Sequence, residues 1–152
     1  MQHIRNDPVL GCDFSAYFAY LESVRERMPD TLYAFAADER NYDLTSHSSL
    51  HDAWLENIKV DEIATGARQE NRSVQIRACY LGPFHDVRID LIYRGVTAYS
   101  LQTPTAAGGH GDLLIHEIRA VEDSLFEHEL VFASNAAHVI RFRDLEHTIQ
   151  PI

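Results

Sequence analysis

The feature that most constrains this chain is an alternation of apolar and polar residues running through 73–101. Val74, Ile76, Ala78 and Tyr80 alternate with Gln75, Arg77 and Cys79, and Val87, Ile89, Leu91 and Tyr93 alternate with Arg88, Asp90 and Arg94. A period of two puts successive side chains on opposite faces, so the runs 73–81 and 85–101 predict two half-buried antiparallel strands. Gly82-Pro83-Phe84 between them cannot continue a ladder and marks the turn.

Weaker alternation predicts further strands over 50–60, 112–122, 125–133 and 138–143. The connection at 103–111 holds Pro104 and three glycines and is the most flexible stretch by composition. Gly95 interrupts the second hairpin strand, where a β-bulge would bend it and let the sheet curl. Residues 144–152 read as a tail with one more short extended piece at most.

Ahead of the sheet, Phe14, Tyr17, Phe18, Leu21, Val24 and Met28 recur at helical spacing. They predict an amphipathic helix over 13–28, capped by Asp13 and stopped by Pro29. Asp30-Thr31 can cap a second short helix to about 38, with Leu32, Phe35 and Ala36 on its apolar side, although the segment could instead be a strand. The expected fold is α+β, a curled antiparallel sheet of about six strands packed on an N-terminal amphipathic helix. The 152 residues form a single domain, with a helical front end at 13–38 and the sheet at 50–143.

Thirteen basic residues against 23 acidic ones give a formal net charge of −10, and Lys59 is the only lysine. Such an excess repels phosphate backbones, and no basic stripe with interleaved aromatics is present, which argues against nucleic acid as a partner. A basic protein, by contrast, would be steered toward this surface. No apolar run approaches the roughly 18 residues of a membrane span. Residues 1–8 carry His3, Arg5 and Asp7 where a secretory signal would be apolar. A cytoplasmic protein is expected, off the membrane, with Cys12 and Cys79 reduced. An edge strand at 138–143 could pair with a second copy to make a homodimer, although Arg141 and Arg143 could equally protect it.

Nine histidines is a high number for this length, and four precede an acid: His51-Asp52, His85-Asp86, His116-Glu117 and His128-Glu129. Neighbours in a strand point to opposite faces, so these dipeptides are not four catalytic dyads. His116, His128 and His138 all fall on the apolar face and are the weak candidates for metal ligands. If Phe132 stands opposite His138, His128 faces Phe142 and lies more than ~10 Å from His138. His116 and His138 would be ~9–10 Å apart, too far for zinc, whose ligands converge at about 2 Å. The spacing therefore predicts buried neutral histidines and no closed metal site. There is no His-Glu-x-x-His or Gly-x-Ser-x-Gly run, and Gly108-Gly109-His110-Gly111 lacks the lysine of a phosphate loop. No catalytic residue and no cofactor can be named.

Two surface candidates remain. One is His51, Asp52 and Trp54, in which the tryptophan reads first as core and second as a contact anchor. The other is His85 and Asp86 at the main corner of the sheet, where loops carry function more often than ladders do.

The run Ser49-Leu50-His51-Asp52-Ala53-Trp54-Leu55, with Gly82-Pro83-Phe84-His85-Asp86 after it, resembles uncharacterised bacterial β-rich domains that open their sheet with Leu-His-Asp. Similar openings occur in some immunity proteins of bacterial toxin systems. The resemblance spans about 50–142, and it implies a non-enzymatic binding protein with a basic protein partner. The alternative is a small-molecule or metal-dependent enzyme using histidines in the cup of the sheet. A histidine-based pH switch is a third expectation.

Overall fold

A computed structural model describes residues 1–7, 11–105 and 107–152. Ten strands and two α-helices lie among them, and all pairing is antiparallel, so the fold is α+β. A short ribbon of β1 (Arg5–Asp7) and β2 (Gly11–Asp13) comes first. Asp13 ends β2 instead of capping the helix: its Oδ1 accepts from Ser15 N at 2.9 Å, and the N-cap of α1 (Ser15–Val24) is Phe14, with no side-chain cap. A 3₁₀ turn follows, and Pro29 separates it from α2 (Asp30–Ala36).

The strands β3 (Trp54–Thr65), β4 (Asn71–Leu81), β5 (Val87–Val96), β6 (Ala98–Leu101), β7 (Leu113–Glu122), β8 (Leu125–Phe132), β9 (Ala137–Phe142) and β10 (Asp144–Pro151) make two four-stranded sheets. Their orders are β10-β5-β4-β3 and β6-β9-β8-β7. Only Thr97 separates β5 from β6, and only Arg143 separates β9 from β10. Across these breaks Arg143 N donates to Arg94 O and Thr97 N to Arg141 O, so the two bent strands stay paired as they pass from one sheet into the other.

The bend has a local cause. Ile76 pairs Tyr93 while Val74 pairs Val96, which leaves one extra residue on β5. Gly95 takes it up at φ +60°, with the Arg143 side chain 3.2 Å from where its Cβ would stand. At the far end a bridge between Trp54 and Asp112 ties the start of β3 to the segment entering β7. The layer is not closed into a barrel.

One buried core joins Tyr17, Leu21, Leu32 and Phe35 from the helices with Ile76, Tyr80, Leu91, Tyr93, Phe126, Leu130 and Phe142 from the strands. Tyr17 also hydrogen-bonds the Ile118 backbone, its hydroxyl accepting from the amide at 2.8 Å.

Three expectations need correction. The segment after 143 is no tail, because β10 pairs with β5 from Asp144 to Pro151; with Leu145 buried, His147 half-buried and Ile149 exposed, its alternation is too weak to read. The strand at 138–143 is not an edge, since β9 lies between β6 and β8, so it offers no free ladder to a second copy. Residues 50–53 form a turn, and the first strand starts at Trp54. No helix among the described residues is long and apolar enough to cross a membrane. Of the glycine-rich connection, Ala106 lies outside the described residues, as does Pro8 of the N-terminal stretch.

Candidate functional site

The turn at 50–53 aims Trp54 outward. Leu50 and Ala53 are fully buried, Asp52 takes φ +63°, and its amide donates to Leu113 O. On the edge strand β3, Trp54 is then 47% exposed, which overturns the first expectation that it is core. Its indole is nonetheless fixed, because Nε1 donates to Asp112 Oδ1 at 2.6 Å. On the other side the Gly82–Asp86 corner folds toward it, and the His85 ring lies 4.5 Å from the indole. His85 adopts φ +59° in that turn.

Next to His85, Phe84 is 50% exposed and stacks on His47 at 4.1 Å. His47 Nδ1 in turn meets Asp86 Oδ2 at 2.6 Å. Two sequence-distant candidates, 51–54 and 85–86, thus meet at one end of the sheet. His51 belongs to its inner margin, with Nδ1 3.0 Å from Asp52 Oδ1 but out of line for a hydrogen bond. His47, Phe84 and Asp112 complete the surface, and sequence reasoning missed His47 and Asp112. Their only signal is proximity in the fold.

The charge of this end is acidic. Asp52 and Asp86 are about half exposed, and Asp112 joins them through the Trp54 bridge. The nearby cation, Arg88 on the strand after the corner, is tied to Glu56 at 2.8 Å. A cleft of about 280 Å³ opens beside the indole, walled by Leu55, Asp112 and the Gly108–Gly111 turns.

A second assembly lies inside the cup. The register places Leu130 opposite His138, Ile140 opposite His128 and Ile118 opposite His128 on the other side. The expected pairing of Phe132 with His138 is off by two residues, because the β8–β9 turn closes one residue nearer β8, with Phe132 N donating to Ala136 O. His116 and His128, which the sequence did not bring together, meet directly, with His116 Nδ1 and His128 Nε2 3.0 Å apart. Tyr93 Oη lies 2.8 Å from His128 Nδ1.

The chain can run from Tyr93 through His128 to His116 or in the reverse direction, and either proton order keeps both imidazoles neutral. His116 Nε2, at the outer end, is buried without a hydrogen-bond partner. Burial pushes His116 down to about 4 and His128 well below its ordinary value. His138 stands apart, packed against Phe132 at 4.9 Å and His110 at 5.0 Å, and burial together with His110 lowers it to about 4.

The opposite face of the same strands carries Arg119, which donates to Glu117, Glu127 and Glu129 at 2.8, 2.5 and 2.8 Å. Glu117 is fully buried and accepts the amides of Gln2, His3 and Ile4. Burial alone would raise these carboxyls, but the hydrogen bonds from Arg119 and the backbone outweigh it and hold Glu117 low. This knot fastens the N-terminal segment to the sheet and leaves no open face for a ligand.

A cavity of about 570 Å³ lies between α2 and β10, with Phe35, Asp38, Arg94, Glu146 and His147 in its wall. Phe35 separates it from the buried pair, its ring 6.2 Å from His116 and 4.8 Å from His147. Among the described residues no three His, Cys, Asp or Glu side chains are grouped to hold a metal ion. Comparison with protein-family models, with curated proteins and with solved structures found no match to this chain.

Proposed function

We propose that this chain is a non-enzymatic binding protein, immunity-like in kind, that captures a basic protein on the end of the sheet bearing Trp54 and Phe84. The observation that carries the reading is Trp54, an exposed indole locked by Asp112 among aspartates. Ordered aromatic anchors of this type contribute a large share of binding energy at protein interfaces. The acidic ring and the net charge of −10 would speed encounter with a basic partner. The scaffold in this reading is one curled layer of about six strands packed on the N-terminal helix. The continuity of β5 with β6 and of β9 with β10, and the burial of Tyr17 and Leu21, support it. The unpaired Cys12 and Cys79 fit a reducing, cytoplasmic setting.

The test is co-purification with a basic, toxin-like protein encoded beside it, at low and high salt. Retention at low salt that is lost in a Trp54→Ala/Phe84→Ala double variant is expected. Equal retention by the variant contradicts the surface, and no retention at low salt contradicts the function.

A second reading, an enzyme working from histidines of the cup, takes support from the cavity beside His147 and Phe35. His147 Nε2 is buried there without a hydrogen-bond partner. Turnover that is abolished by His147→Gln would favour it over the binding reading.

A further inference from the structure

We infer that the partner is read through one arginine side chain, seated in the cleft between the Trp54 indole and the glycine turns with its guanidinium on Asp112. This deepens the reading of the Trp54 surface and rests on it.

The cleft, about 280 Å³, is below the usual size of a site for a drug-sized molecule and suits a single side chain. Gly108, Gly109 and Gly111 have φ of +116°, +76° and +70°, which L residues rarely adopt. His110 also lines the cleft, but at Gly108 and Gly109 the wall is bare backbone and the space where a Cβ would point is open. An extended aliphatic stem can lie against it.

At the floor, Asp112 spends Oδ1 on the indole N–H, while Oδ2 has no partner among the described residues. An ionised carboxylate accepts several hydrogen bonds, so a donor with a positive charge is what this oxygen lacks. The indole supplies the other half of the recognition. Tryptophan is the best cation–π acceptor, and a planar guanidinium can stack on it while reaching the carboxylate. An ammonium group, as a point charge, cannot do both as well. Arg88, on the strand after the corner, is engaged by Glu56.

Trp54 is the only tryptophan, so its fluorescence reports this site alone. The probes are three blocked tripeptides, Gly-Arg-Gly, Gly-Lys-Gly and the uncharged citrulline analogue of the first, titrated at low ionic strength. The arginine peptide should change the emission saturably, the lysine peptide should need at least about five-fold more, and the citrulline peptide should do nothing. Asp112→Asn keeps an acceptor for the indole N–H but removes the charge, and should weaken the arginine peptide about ten-fold. The wild-type comparison of the three peptides stands even if that variant misfolds. Equal responses to arginine and citrulline, equal responses to arginine and lysine, or no saturable response overturn the seat. None of these outcomes touches the co-purification result, so the arginine seat can fail while the surface reading stands.

Discussion

His116 Nδ1 and His128 Nε2 are 3.0 Å apart in the fully buried centre of the cup, and neither ring has room to hold a proton charge. The unfolded chain binds the proton of such a group near pH 6.5, whereas folded His116 binds it only near pH 4. Folding therefore releases protons, and stability is whole above pH 6.5 and is lost as pH falls toward 4. His116 alone withdraws about 3 kcal/mol over that window. Thermal melts should be flat above neutrality and fall steeply from pH 6.5 to 4. A His116→Leu/His128→Leu variant should lose a clear part of that slope, the remainder coming from His138 and His147, which burial also lowers, and an unchanged profile in the variant would contradict the assignment.

Glu117, Glu127 and Glu129 act in a second, more acidic window. Their folded values lie below the ordinary 4.5, so their contribution is present above that pH and is lost below it. Removing their shared cation has a larger effect. Arg119→Ala leaves three carboxylates facing one another with little water and should cost about 3–5 kcal/mol in urea unfolding. Glu117→Gln should instead act locally, raising hydrogen exchange at the amides of His3 and Ile4. Unchanged exchange there would show that the N-terminal segment is held by other contacts.

Gly95 is where the long strand turns from one sheet into the other. A side chain there meets both an unfavourable φ of +60° and the Arg143 side chain. Gly95→Val should cost about 2 kcal/mol or more, and Gly95→Asn clearly less, because asparagine tolerates left-handed backbone. Equal melting temperatures for the two variants would mean that the bulge is not a conformational constraint.

The strand alternation through Tyr80, Leu91, Tyr93, Phe126 and Phe142 was readable because each of these residues is buried on one face, and a period of two is then unavoidable. The same logic placed His116 and His128 on the apolar face and Glu117 and Glu129 on the opposite one, but it gave no sign that the N-terminal segment covers that face and buries Glu117. What could not be read was register. Which histidines meet depends on which residue each turn puts opposite which: the β7–β8 register brings His116 beside His128, and the β8–β9 register differs by two residues from the expected pairing of Phe132 with His138. The strand β10 escaped because Ile149 and His147 are not fully covered, so its alternation carries little contrast. Trp54 was half legible. Its composition favours a core, and only the edge position of β3 and the Asp112 bridge turn it toward solvent. Asp112 and His47 carry no local signal at all, because their meaning comes from partners 58 and 39 residues away.

The most direct measurement of the central claim is the dissociation constant between this protein and a basic protein that co-purifies with it at low salt, for wild type and for Trp54→Ala. An anchor of this kind should be worth about 2 kcal/mol, so the variant should bind about 30-fold more weakly, with tighter binding at low salt in both. Equal affinities for wild type and variant, or wild-type binding that ignores salt, would contradict the account.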